Sequence, residues 1–194
     1  MNWNNKNLVK ILKENSIVVM PTDTLYGIVG RATSLDVVNR IYSIRKRDSR
    51  KPFIILIGDI DELKNFSITL SQKQKSALKK YWFIKRGFNK NLRGPTSIIL
   101  DCSDLSLEYL HRGTKTLAFR LPAIQSLRNL LFKVGPLVAP SANLEAMSAS
   151  ETILEAKKYF GNSVDLYFDG GRIRGKASKI IRLYKDGSIS VIRH

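Results

Sequence analysis

Three short stretches carry side chains able to grip a small, charged ligand. Pro21-Thr22-Asp23-Thr24-Leu25-Tyr26-Gly27 follows the apolar run Ile17-Val18-Val19-Met20. In extended chain Thr22, Thr24 and Tyr26 point to one side, giving two hydroxyls and a ring on one wall. Arg45-Lys46-Arg47 precedes Lys51-Pro52, and guanidinium forks match phosphate oxygens in pairs. Pro140-Ser141-Ala142-Asn143 follows Leu137-Val138-Ala139, and its i, i+2 pair again projects to one side. Asn143 can donate and accept, and Ser141 can meet phosphate or carboxylate. Each stretch also has a plain structural reading. The threonines can satisfy local backbone groups, the arginines can form a solvated helix end, and Ser-Ala-Asn can be a turn and helix cap.

These groups serve one ligand only if the elements around them end in the right places. Leu8, Ile11 and Leu12 have helical spacing, and Ile17 to Met20 reads as a buried strand. Val37, Val38, Ile41, Tyr42 and Ile44 repeat at helical spacing after a start near Ser34 and Asp36. A helix continuing past Arg45 would splay Arg45 and Arg47 by more than a right angle, so joint action requires the helix to stop there. Phe53 to Ile57 reads as a strand, and short helices fit Ile60 to Leu63 and Leu70 to Lys80. Further strands are expected at Ser97 to Leu100, Thr116 to Phe119, Leu137 to Ala139, Val164 to Phe168, Ile180 to Leu183 and Ile189 to Ile192. Helices are expected over Ile124 to Lys133 and Glu151 to Phe160, and a basic, aromatic surface loop over Tyr81 to Arg93. Alternating strands and helices without a linker predict a single α/β domain over residues 1–194, built on a twisted mixed sheet with flanking helices.

Composition narrows the chemistry. Cys102 is the only cysteine, so neither an internal disulfide nor a thiolate metal cluster can form. His111 and His194 are the only histidines, which argues against a zinc site or a Ser-His-Asp triad. Catalysis then rests on hydroxyls, amides, arginines and a Mg²⁺ carried by the ligand. The apolar runs are too short to cross a bilayer, and no signal-peptide core follows the N-terminus, so a cytoplasmic location without membrane contact is expected. The net charge of +17, from 33 basic and 16 acidic residues, draws polyanions such as nucleic acid. A lysine- and asparagine-rich proteome bias accounts for it equally well.

In this order the three stretches resemble the YrdC-like family, best known for threonylcarbamoyl-AMP synthases. The resemblance spans almost the whole chain and continues through Gly94-Pro95, Leu117 to Pro122, Gly135 to Asn143, Asp169-Gly170-Gly171, Ser178 and Val191-Ile192-Arg193. It implies a concave basic cleft and the following reaction. L-threonine and bicarbonate give a carbamate, which attacks the α-phosphate of ATP. Threonylcarbamoyl-adenylate forms, pyrophosphate leaves, and transferase partners pass the product to tRNA. By the same resemblance Arg45, Arg47, Ser141 and Asn143 are catalytic, while Thr24, Arg120, Ser141 and Ser178 hold threonine. Arg47, Lys51, Thr116, Asn143, Ser150 and Arg193 face the nucleotide. Mg²⁺ accompanies ATP, and no protein metal site is implied.

The chain departs from the family pattern at several points. The usual lysine is Arg45, a histidine common after Lys-Pro is Leu56, the usual Ser-Gly is Glu145-Ala146, and the usual Glu-Ser-Thr is Ala177-Ser178-Lys179. The YciO group shares Arg at the Arg45 position but loses the Ser-x-Asn triplet, which this chain keeps. The alternative expectation is a YrdC-like module that binds double-stranded RNA or tRNA without adenylation. Longer relatives carry a further C-terminal domain, and this chain resembles the single-domain form.

Overall fold

The computed structural model describes residues 3–82 and 94–194. The apolar run becomes strand β1, Val18–Pro21, with every residue buried, as a strand covered on both faces requires. The chain turns through Thr22 to Leu25 and returns as β2, Tyr26–Arg31, antiparallel to β1 with Pro21 opposite Tyr26. The expected extended run from Thr22 to Tyr26 is therefore a hairpin loop as far as Leu25, and Tyr26 opens β2, which the sequence reading missed. Two glycines hide that strand. At Gly30 an added Cβ would lie 2.3 Å from Val37 Cγ1, so helix packing demands glycine there.

Helix α1, Lys6–Lys13, is capped by the Asn5 side chain and buries Leu8 and Leu12. Helix α2, Leu35–Arg45, is capped by Ser34, as its sequence predicts. Strand β3, Ile54–Leu56, leads into a 3-10 helix, Ile60–Phe66, and helix α3, Gln72–Trp82. Of the expected Tyr81–Arg93 loop, Tyr81 and Trp82 end α3, and residues 83–93 lie outside the described residues. Strand β4, Thr96–Asp101, precedes a short helix α4, Glu108–His111, which the sequence did not suggest. Then follow β5 (Thr116–Arg120), α5 (Gln125–Val134), β6 (Leu137–Val138), α6 (Ile153–Phe160), β7 (Leu166–Tyr167), β8 (Lys179–Leu183) and β9 (Ile189–Arg193).

Among the described residues the nine strands form one mixed sheet in the order β7-β1-β2-β6-β3-β5-β4-β8-β9. β3 runs parallel to β5 and antiparallel to β6, and β4 runs parallel to β8. One face carries Val19, Ile28, Ile55, Phe119, Ile98 and Ile181, packed against α2, α3, α4, α6 and the 3-10 helix. The other face carries Val18, Met20, Val29, Leu56 and Leu137, packed against α1 and α5. That second helical layer reaches no further than β3. Beyond it, alternation puts Ala118, Arg120, Ile99, Ser97 and Ile180 on a face that no described helix covers.

Candidate functional site

The site lies where the hairpin loop, the end of α2 and the β6 exit meet the edge of this uncovered face. Thr22 Oγ1 accepts from the N–H groups of Thr24 and Leu25 and donates to the Leu25 carbonyl at 2.8 Å. The Thr24 hydroxyl lies 3.0 Å from Thr22 Oγ1, and Arg120 Nη2 donates to Thr22 Oγ1 at 3.5 Å. Lone pairs of Thr24 remain for a ligand donor. Asp23, between them, turns inward, accepts from Arg120 Nε at 3.1 Å and forms an ion pair with Nη2 2.9 Å away. Both side chains are almost wholly buried, and Asp23 Oδ2 has no hydrogen-bond partner.

Helix α2 stops at Arg45 because Lys46 adopts the left-handed conformation, φ 49° and ψ 39°. The stop required for the two arginines to act together is present. Arg45 is 2% exposed, and its Nε and Nη2 donate to the Asn143 carbonyl (3.0 Å) and Oδ1 (3.3 Å). Its Nη1 is buried with no partner. Burial, then the nearby Arg47 charge, lowers its pKa to about 10, so it stays cationic at neutral pH. Arg47 donates from Nε to the Lys51 carbonyl at 3.2 Å, with its guanidinium 5.6 Å from the Phe53 ring centre.

The Pro140–Asn143 turn is fixed against β2 by Ile28 N–H to the Pro140 carbonyl (3.0 Å) and Ala142 N–H to the Tyr26 carbonyl (2.8 Å). Ser141 Oγ donates to Asn143 Oδ1 at 2.6 Å, so this i, i+2 pair does converge. On the far wall Ser178 Oγ lies 2.8 Å from Ser97 Oγ. Arg193 donates from Nε and Nη2 to the Ser178 carbonyl at 3.1 and 2.8 Å. Burial and the Arg120 charge lower the Arg193 pKa.

Thr22, Thr24, Arg45, Arg47, Arg120, Ser141, Ser178 and Arg193 line one polar cleft of about 180 Å³. That is below the range of about 300–1,000 Å³ typical of pockets for drug-sized ligands. It suits a small polar molecule, and anything larger must extend along the uncovered sheet face. Among the described residues four guanidinium groups meet there, and no carboxylate lines it. The arrangement can hold an anion and offset charge that develops on it. A larger cavity, about 820 Å³, lies between the 3-10 helix and α3, lined by Ile60, Leu63, Ile68 and Leu70 and by the polar Asp61, Lys64, Lys75 and Lys79.

Four candidate residues are placed elsewhere. Asn143 sits behind Ser141, with Nδ2 donating to the Leu144 (2.7 Å) and Met147 (2.8 Å) carbonyls. Ser150 is buried behind that turn and donates to the Ala142 carbonyl at 2.6 Å. Lys51 stands outside, paired with Glu145 at 2.7 Å. Thr116 shares the sheet face of Ala118 and Arg120 but lies at the start of β5, its hydroxyl 3.1 Å from that of Thr114.

The sequence reading gave no role to Asp23, to Ser97, or to Tyr26 as an anchor. The Tyr26 phenol donates to the Gly171 carbonyl (2.7 Å) and accepts from Gly170 N–H (2.9 Å), tying down the segment that leads to Ser178. Glu145, where the family pattern has serine, links two loops, accepting from Asp48 N–H (2.8 Å) as well as from Lys51.

The Sua5/YciO/YrdC family model, described as "Telomere recombination", matches residues 10–194. A threonylcarbamoyl-AMP synthase of Bacillus subtilis is 33% identical over 69% of this chain and 36% of its own length. A threonylcarbamoyl-AMP synthase of Pyrococcus abyssi is 25% identical over 93% of this chain and 51% of its own. The chain thus spans about half or less of the length of these two relatives. The crystal structure of P. abyssi Sua5 complexed with L-threonine superposes with a TM-score of 0.83 at 24% identity, covering 100% of this chain and 54% of that one. This likeness is one of fold.

Proposed function

The chain belongs to the Sua5/YciO/YrdC family, and on that premise we propose that it makes threonylcarbamoyl-AMP from L-threonine, bicarbonate and ATP. The observation that carries this reading is the meeting of four guanidiniums and several hydroxyls, from distant parts of the chain, around one small cleft. The relatives named above bear the name of this activity.

The neutral amine of threonine takes up bicarbonate with loss of water. A carbamate oxygen then attacks the α-phosphorus of ATP as the bond to the bridging oxygen breaks and pyrophosphate leaves. The carbamate is short-lived in water, so it must form beside the phosphate it attacks. Arg120 faces the threonine carboxylate in this reading, and the lone pairs of Thr24 accept from its amine or hydroxyl. Ser178 closes the same end. Arg45 and Arg47 offset charge on the triphosphate and leaving group, and its otherwise unpartnered buried Nη1 suits Arg45 to an anionic oxygen. Ser141 touches the reacting groups, and Asn143 acts by holding Arg45 and Ser141. Arg193, Thr116 and Lys51 meet the nucleotide where it extends along the sheet, and Lys51 must then leave Glu145. Ser150 supports the Asn143 turn.

Mg²⁺ enters with ATP as part of the substrate and rides on its phosphates. Among the described residues no three His, Cys, Asp or Glu side chains converge to hold a metal. We assign residues 1–194 to one domain acting in the cytoplasm. Its basic surface attracts tRNA, to which a separate transferase passes the product. No described helix is long and apolar enough to cross a membrane. Protein incubated with ATP, Mg²⁺, bicarbonate and L-threonine is expected to release pyrophosphate in a threonine-dependent manner. Release no greater than in a control lacking threonine would overturn the assignment and leave RNA binding as the better reading.

A further inference from the structure

Between β7 and β8 the chain runs without regular structure from Phe168 to Ser178. It is fastened at several points. Tyr26 holds Gly170 and Gly171, and Ile173 N–H donates to the Glu151 carbonyl at 2.8 Å. At the far end Ser97 and Arg193 hold Ser178. Midway, Gly175 rests on the peptide of Thr24. A Cβ built there would lie 1.7 Å from the Thr24 carbonyl oxygen and 2.8 Å from its carbon. Contacts that short do not occur, so only glycine lets the two backbones lie this close. Two and three residues later Ala177 and Ser178 line the cleft together with Thr22, Thr24 and Arg120.

We propose that Gly175 is a positioning residue that fixes the width of the amino-acid end of the cleft. This inference rests on the threonine-dependent activity proposed above. The strap touches the ligand only through Ala177 and Ser178, but its distance from Thr24 is set by the glycine. Any side chain at 175 moves the strap away by more than an ångström to reach an ordinary contact. The slot then loses its grip on the threonine methyl group. One such group in a fitted pocket is worth about tenfold or more in discrimination, so the separation of threonine from serine is the quantity at stake.

The test compares Gly175→Ala with the intact protein. The variant is expected to raise KM for L-threonine about tenfold and to lower the threonine-to-serine ratio of kcat/KM by about the same factor, leaving KM for ATP within about twofold. Tyr26→Phe frees the first fastening of the strap without adding bulk and is expected to shift the ratio the same way, by less. It decides the matter alone if Gly175→Ala does not fold. An unchanged threonine-to-serine ratio in the folded variant overturns the inference. So does an equal loss of affinity for ATP and threonine, which would mean general damage. Calorimetry on the intact protein separates the two levels. If it binds no L-threonine, the proposed activity falls and the inference with it. If it binds threonine and the variants keep its selectivity, only the inference falls.

Discussion

Over β1, β2 and β6 the sheet is clasped by helices on both faces, whereas over β5, β4 and β8 one face carries no described helix. The two halves use the same alternation for different ends. In the clasped half, inward positions on both faces are apolar, such as Val18 and Val19. In the other half, alternate positions on the bare face are Thr116, Ala118 and Arg120. Arg120 is nevertheless almost wholly buried, and a charge is tolerated there because Asp23 meets it. The cleft lies at the junction of the two halves, with Thr22, Thr24, Arg45 and Ser141 from the clasped side and Arg120, Ser178 and Arg193 from the other.

The sharpest way to break this division is the Arg120–Asp23 pair, which serves the cleft yet is as buried as the core. Asp23→Ala leaves a guanidinium buried without its counterion and should cost about 3–5 kcal/mol of stability. Denaturant midpoints would show it, and threonine binding should fall in the same variant. A loss under about 1 kcal/mol would mean that solvent reaches the pair. Next comes Leu131→Ala, in the layer of α5 packed on the clasped half. It should cost about 2–5 kcal/mol with turnover per folded molecule unchanged. A parallel fall in turnover would show that the halves are mechanically coupled.

Arg47→Ala tests the reverse case. It removes charge-assisted hydrogen bonds worth about 1.5–3 kcal/mol each, so pyrophosphate release should fall about 100-fold. Stability should move by no more than about 0.5 kcal/mol, and RNA affinity should be nearly intact. A fall under about threefold would remove Arg47 from the machinery, and equal loss of RNA binding would assign it to the RNA surface. The smallest effect concerns Asp165, which ties α2 to β1 by accepting from Arg40 and from Ile17 N–H. The Arg40 guanidinium is the main cause of its lowered pKa. A carboxyl more acidic in the folded than in the unfolded state adds stability above its unfolded pKa of about 3.9 and loses it as pH falls. Asp165→Asn should therefore flatten the acid limb of the stability profile below about pH 4. At this exposed pair the change is expected to stay under about 1 kcal/mol.

The clasped half was the easier to read. Continuous burial wrote an unbroken apolar run at Ile17 to Met20, and Ser34 with the spacing of Val37, Val38 and Ile41 announced α2 and its cap. Strand β2 was not legible, because Gly27 and Gly30 answer to neighbours distant in the chain rather than to strand propensity. Within the site, local chemistry was readable and tertiary pairing was not. The hydroxyls of Ser141 and Thr24 stood out by their place after apolar strands. The partner of Arg120 lies 97 residues away, and nothing in the spacing selects Asp23 from the other acidic residues. The family resemblance supplied Asn143, but only the geometry placed it behind Ser141 as a support for Arg45.

The left-handed residue that ends α2 has an evolutionary corollary. Lys46 occupies a backbone basin that costs a side-chain-bearing residue about 1 kcal/mol or more and costs glycine nothing. Its own ammonium is exposed and takes no part in the cleft. Lys46→Gly is thus a swap this scaffold can tolerate. The position is held by its torsion rather than its chemistry, and mutational drift there is expected to favour glycine and asparagine while Arg47 beside it stays fixed.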